Sequence, residues 1–366
     1  MMVPQQKMIG PKQHFLISLI FFLILLGGCS PKNEDEIETY LGLGALSKNK
    51  FDIFLESKMK DLNVHGLAVA VINNGRVVHH KKMGYANVEQ QLPVTDETIF
   101  EGASLSKSMF AFFVMKYVEE GKLDLDKPLW EYFPYEDIAY DDRYKKITAR
   151  MVLSHRSGFP NWRRDEEDGK LKIKFEPGTD YLYSGEGYQY LAMVLRKIEG
   201  VDWNGLEAAY QTKVAGPIGM EHTVFIQTPY TRKHKAEAYN EKGKRVALVE
   251  KSEFGAAYSI HSEPIDFSKW MIAMMNKEQL SKESYAELLK PHATVPSDLF
   301  DVSYCLGFSK PDFPIIREDI YLHTGNNTGF TCWYALDPEK DWGFVLFTNS
   351  QFGEDLGENL FFYLLL

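Results

Sequence analysis

Several large protein classes are excluded by what this chain does not contain. It has three cysteines and no Cys-x-x-Cys pair. It has no Gly-x-Ser-x-Gly elbow, no His-Glu-x-x-His and no Walker loop, so α/β-hydrolase, zinc-peptidase and nucleotide-binding readings have no anchor. The pattern implies neither a metal nor a cofactor. Positive charge is scarce: 41 Lys and Arg stand against 51 Asp and Glu, a net charge of −10, which makes nucleic acid a poor partner. The most apolar stretch, "FLISLIFFLILL" at 15–26, is too short for a comfortable transmembrane helix. There is no internal repeat.

What remains is ordinary for a folded protein with a large core: 366 residues, 45% hydrophobic and 25% charged, enough for one large domain or two small ones. Lys7 and Lys12 precede the apolar stretch and "GGCS" follows it, the layout of a signal peptide. Leu26, Gly27, Gly28 and Cys29 resemble a bacterial lipoprotein box, which implies a lipidated Cys29 as the new N-terminus. A plain secretion signal or an uncleaved anchor is the alternative. The expected product is exported and membrane-anchored in the cell envelope. Loss of residues 1–29 removes two lysines and no acid, taking the charge from −10 to −12. "SPKNEDEIET" (30–39) reads as an acidic tether, so the expected layout is leader 1–29, tether 30–47 and domain 48–366. Cys305 and Cys332 lie in apolar, strand-like segments and read as buried free thiols, although export permits a disulfide.

Strand signals open and close the domain. "GLAVAVINNGRVVHHKKMGYA" breaks at Asn74-Gly75, a strong hairpin signal, and its adjacent His79 and His80 point to opposite faces, a poor geometry for joint metal binding. From about 105 to 300 the pattern is mostly helical, with stops at Gly121, Gly158-Phe159-Pro160 and Gly200. "YCLGFS", "TGFTCWYALD" and "WGFVLFTNS" then read as short strands, and "NLFFYLLL" as a helix packed on the sheet. The economical architecture is α+β: an antiparallel sheet built from both chain ends with a helical section inserted.

Ser-x-x-Lys occurs three times. Ser57 and Lys60 lie on the wet side of a helix whose apolar stripe is Phe51, Phe54, Leu55 and Met59, and Ser47 to Lys50 reads as the cap before it. Ser104 and Lys107 differ, because "MFAFFVM" (109–115) is apolar all round and marks a buried helix. Residues three apart share one helix face, and a lysine desolvated there loses up to ~3–5 pKa units, as a general base for a serine hydroxyl requires. A capped core helix with a snorkelling lysine is the alternative.

Two later stretches could complete a serine site. In "FEPGTDYLYSGEGYQYL", Tyr183 sits on a loop before a helix, where a phenol can relay a proton, or can simply pack with its hydroxyl on backbone. In "LHTGNNTGF", Gly325 permits close approach, and the Asn326 amide with that of Ser104 could form an oxyanion hole; an exposed His323 on a turn is the alternative.

In this order, "SLSK", "YSG" and "HTG" resemble the signature of serine β-lactamases and penicillin-binding proteins, and "YVEEGKLDLDKPLWEYFP", "ITARMVLSHRSGFP" and "DPEKDWGFVLFTN" are similar to segments of the class C β-lactamase-related family, which includes D-aminopeptidases and esterases. The resemblance covers about 50 to 366. It implies a β-lactamase/transpeptidase-like fold with a flanking all-helical lobe and a cleft between sheet and lobe. Ser104 would be the acylated nucleophile, Lys107 its proton acceptor or electrostatic partner, and Tyr183 the proton shuttle to the leaving group and the activator of the deacylating water. His323 would stand for the third-motif lysine, the Ser104 and Asn326 amides would form the oxyanion hole, and Gly185, Thr324 and Gly325 would border the substrate. His155 would brace a loop.

Two departures bear on substrate. Gly185 replaces an asparagine that orients the acyl side chain, and His323 replaces a permanently charged lysine. Both favour an esterase or D-amino-acid peptidase-like hydrolase over a β-lactamase or DD-peptidase. A non-catalytic domain binding a surface ligand is the reading of another class. The expected partner is a small-molecule or peptide substrate.

Overall fold

A computed structural model describes residues 35–248, 250, 252–295, 301–313, 316 and 319–366. The leader and Cys29 lie outside the described residues. Strand β1 (Glu36–Glu38) pairs with β2 (Ala45–Ser47), and the chain continues through a helix, Lys48–Asp61, to β3 (Gly66–Asn73), β4 (Arg76–Asn87), β5 (Leu92–Pro93) and β6 (Phe100–Ala103). Asn74 and Gly75 both take positive φ, 53° and 66°, the conformation a two-residue hairpin turn demands. Later strands are β7 (Ala238–Tyr239), β8 (Arg245–Val246), β9 (Ile260–Ser262), β10 (Ala293–Val295), β11 (Val302–Tyr304), β12 (Ser309–Pro311), β13 (Tyr321–Asn327), β14 (Phe330–Asp337) and β15 (Trp342–Thr348).

The main sheet is antiparallel in the order β10-β11-β12-β13-β14-β15-β3-β4-β5, so the late strands meet the early ones where β15 pairs with β3. All of β3 is buried because both sheet faces are covered. Its residues alternate between two cores: Ala68, Ala70 and Ile72 belong to a large cluster shared with the helical lobe, while Leu67, Val69 and Val71 join a smaller cluster. The smaller core is closed by the helices Lys48–Asp61 and Gly353–Leu365. Ser47 caps the first of these by accepting from the Lys50 amide at 3.3 Å.

The expected tether over 30–47 is corrected from residue 35 onward. Ile37 and Tyr40 are buried in the smaller core, and the Tyr40 hydroxyl donates to Asp337 Oδ2 at 2.7 Å. The acidic composition of the segment obscured these two apolar anchors. The helical middle is interrupted as well: β6 pairs with β9, and β7 with β8. Cys305 and Cys332 are buried free thiols.

The helix Ser106–Glu119 runs through the large core with residues 106–115 buried. Its lead-in is held tightly. Ala103 adopts φ 42°, a conformation costly for a residue with a Cβ, and the Ser106 hydroxyl donates to the Ala103 carbonyl at 2.5 Å while accepting from the Ile260 amide at 3.0 Å. This bend places Ser104 at the mouth of the buried helix, facing the gap between sheet and lobe.

Candidate active site

Ser104 is half-buried and has the two neighbours expected of an activated serine. Lys107 Nζ lies 3.1 Å from Ser104 Oγ and donates to the Ala257 carbonyl at 2.8 Å. It is 1% exposed and sits 4.5 Å above the Tyr183 ring, and among the described residues no carboxylate pairs with it. Burial alone pulls its pKa from 10.5 to about 7. The neutral amine is then accessible near neutral pH, able to donate to Ala257 while accepting the serine proton.

Burial holds the pKa of Tyr183 well above the ordinary phenol value, and the neighbouring Ser104 hydroxyl offsets this only in part. Tyr183 is therefore a phenol at rest and a proton donor. The loop carrying it is fixed by His155, buried and at φ 58°, whose Nδ1 accepts from the Ser184 amide at 3.0 Å and whose ring lies 4.3 Å from that of Tyr183. Ser184 in turn caps the helix Gly185–Glu199 through the Gly187 amide at 3.0 Å.

His323 is buried beside this group, its ring centroid 6.3 Å from that of Tyr183. Nδ1 lies 2.6 Å from the Thr324 carbonyl, which can only accept, so Nδ1 carries the proton. Nε2 then accepts from the Tyr304 hydroxyl at 3.0 Å. Burial, reinforced by the charge of Lys107, pushes the pKa of His323 down to about 3. The ring is neutral, and both nitrogens are engaged within the protein.

Asn326 lies on β13, which pairs with β12 only through Leu322 and Ser309, leaving its edge beyond Leu322 open to the cleft beside Ser104. Gly325 is required for this approach: a Cβ there would stand 2.5 Å from Cys332 Sγ, 2.8 Å from the Gly102 carbonyl and 3.0 Å from Ala103 Cβ. Thr324 lines the cleft, whereas Gly325 and Gly185 pack behind its surface. The space a Gly185 side chain would fill belongs to the Trp162 indole, whose nearest atoms lie 2.5 and 2.7 Å from the Cβ position.

The cleft has two arms meeting at Ser104, of about 640 and 660 Å³. The first is bordered by Tyr183, His323 and Thr324 and runs over apolar side chains including Phe313 and Trp333. The second is bordered by Lys107, Trp162, Arg164 and Tyr258. Ser104, Lys107, Tyr183, His323 and Asn326 are thus brought together from distant parts of the chain. Sequence reasoning missed Tyr304 and the Ala257 carbonyl, since nothing local around either residue signals a site.

The family described as Beta-lactamase matches residues 51–365. Protein flp of Staphylococcus aureus (strain MW2) is 24% identical over 336 residues, which cover 86% of this chain and 66% of flp; the chain thus spans a little under two thirds of that relative's length. An octameric penicillin-binding protein homologue from Pyrococcus abyssi superposes with a TM-score of 0.73 at 25% identity, over 84% of this chain and 74% of the other. A class C beta-lactamase superposes with a TM-score of 0.75 at 22% identity, over 87% and 95%. With the family matched over nearly all of the folded chain and its fold reproduced, the protein belongs to the Beta-lactamase family, whose members are serine hydrolases.

Proposed function

We propose that this protein is an exported serine hydrolase that works through an acyl-enzyme on Ser104, with an ester or a D-amino-acid amide as its substrate. The observation that carries the reading is Ser104 Oγ held 3.1 Å from a buried lysine whose pKa is about 7, with the Tyr183 phenol lining the same cleft. Neutral Lys107 takes the Ser104 proton as Oγ bonds to the substrate carbonyl carbon. The amides of Ser104 and Asn326 hold the resulting oxyanion. The bond to the leaving group then breaks, the leaving oxygen or nitrogen takes the Tyr183 proton, and Lys107 returns a proton to Tyr183. Water attacks the acyl-enzyme by the reverse relay, giving up one proton and releasing the acid.

The neutral His323 supports an ester or a simple amide over a β-lactam or a D-alanyl-D-alanine terminus. Those substrates carry a carboxylate next to the scissile bond, and the third-motif residue here offers no positive charge to meet it. His323 acts in this reading as a positioning residue, tying β13 to β11 through Tyr304. Export and a lipid on Cys29 rest on the leader sequence alone.

Intact-mass spectrometry after incubation with a fluorophosphonate and, separately, with a penicillin tests the proposal. A fluorophosphonate adduct on wild type, absent from Ser104→Ala, is the expected result, without a stable penicillin adduct. A lasting penicillin adduct on Ser104 would move the protein to the penicillin-binding group. No adduct from either reagent would favour a ligand-binding domain that has lost its chemistry.

A further inference from the structure

The two arms of the cleft differ in which reacting group borders them. Tyr183 lines only the first arm and Lys107 only the second. A leaving group must receive its proton from Tyr183, so it departs along the first arm and the acyl half of the substrate lies in the second. This division rests on the mechanism proposed above.

Asn161 lines both arms, at their junction beside Ser104. Its orientation is fixed by chemistry. The Gly185 amide donates to Asn161 Oδ1 at 3.0 Å, and the amides of Gly185 and Glu186 reach the Asn161 carbonyl, each at 3.1 Å. A peptide N–H can only donate, so the carboxamide oxygen faces the start of the helix Gly185–Glu199 and the NH₂ group is at the opposite end. Nδ2 has no hydrogen-bond partner among the described residues, and the residue is exposed to the cleft. The result is a donor held in place before substrate arrives. Its surroundings suit an organic acyl group: Trp162 and Tyr258 meet edge to face with centroids 5.5 Å apart, and the Arg164 guanidinium lies 5.4 Å from the Trp162 ring at the outer end.

We propose that Asn161 determines acyl specificity: its Nδ2 donates to a carbonyl carried by the acyl half of the substrate, a few bonds from the scissile carbon. The site then selects acylamino-acyl or keto-acyl esters and amides over plain alkanoyl ones. A fixed donor discriminates this way because a substrate lacking the acceptor leaves the amide desolvated and unpaired.

Three p-nitrophenyl esters of matched size isolate the contact: N-acetylglycyl, 4-oxopentanoyl, which replaces the N–H by CH₂ and keeps the carbonyl, and pentanoyl, which lacks it. Asn161→Asp keeps an oxygen for the Gly185 amide and the side-chain volume but removes the donor. Wild type should prefer both carbonyl-bearing esters over pentanoyl by about tenfold in kcat/KM, and N161D should bring that ratio to about one. A wild-type ratio near one, or a tenfold ratio that survives N161D, overturns the assignment. Fluorophosphonate labelling of Ser104 runs alongside. An N161D variant that neither labels nor turns over any ester would show Asn161 maintaining the site instead, and would also overturn the specificity role. Wild type that labels but shows no ratio sinks this inference alone, whereas wild type that neither labels nor hydrolyses any of the three sinks the serine-hydrolase reading with it.

Discussion

Replacing Lys107 by methionine removes a buried titratable group while keeping an unbranched side chain of similar length, and the sign of its effect on stability is set by linkage. Folding lowers the Lys107 pKa from 10.5 to about 7 by burial. Between those values the unfolded chain binds this proton and the folded chain does not, so the lysine's contribution to stability rises with pH across the window and is least favourable below pH 7. At ~1.4 kcal/mol for each pH unit of that drop, the lysine costs the fold ~4–5 kcal/mol in acid and under ~1 kcal/mol by pH 10. Methionine carries no such dependence. The stability difference between variant and wild type should therefore shift by about 4 kcal/mol between pH 6 and pH 10, in favour of the variant at pH 6. The Ala257 carbonyl left without its donor costs the variant roughly 1–3 kcal/mol at every pH and cancels in this comparison. Urea unfolding of both proteins at pH 6, 8 and 10 gives the quantity directly. A difference that stays constant within about 1 kcal/mol would refute a strongly depressed Lys107, and with it the general base.

Tyr183→Phe should fold and still label, but lose about 10²–10⁴-fold in turnover of alkyl esters and less with p-nitrophenyl esters, whose leaving group needs little proton donation; equal losses on both would remove Tyr183 as the donor. Gly185→Asn should lower stability by about 1–3 kcal/mol in urea unfolding because Trp162 occupies the side-chain position, and Trp162→Ala should restore most of it; a neutral single variant would contradict the packing. Because its pKa is near 3, His323 should remain neutral with the proton on Nδ1 in ¹H–¹⁵N spectra from pH 5 to 8, and any titration in that interval would count against its buried placement. Cys29→Ala should release the protein from the membrane fraction of an expressing bacterium, whereas unchanged retention would rule out a lipid on that residue as the sole anchor.

Local signals carried the sequence reading furthest. The Asn74-Gly75 turn, the Ser47 cap and the Ser104–Lys107 spacing each depend on residues within a few positions of one another, and each is found in the structure. Antiparallel strands at both ends of the domain followed from their apolar patterning. What was not legible depends on distant parts of the chain. Nothing near Lys107 announces that the Ala257 carbonyl will meet it, nor does "HTG" reveal that Tyr304 will occupy the histidine's second nitrogen. A missing side chain at Gly185 was visible; that Trp162 fills the gap was not, because the two are neighbours only in space. Ile37 and Tyr40 were missed because two anchors in an acidic segment do not form a periodic pattern.

The pairing of β15 with β3 also bears on how the protein is made. Strand 66–73 emerges with the first third of the chain, yet the partner that completes its hydrogen-bonded ladder is residues 342–348. The open edge carrying Asn326 is also late to arrive. A nascent chain thus exposes Ser104 and Lys107 for most of its synthesis without a sheet to seat them, without an Asn326 amide and without a dry environment to depress the lysine. Such a half-made chain lacks the geometry of the site, which is assembled only once the last strands dock.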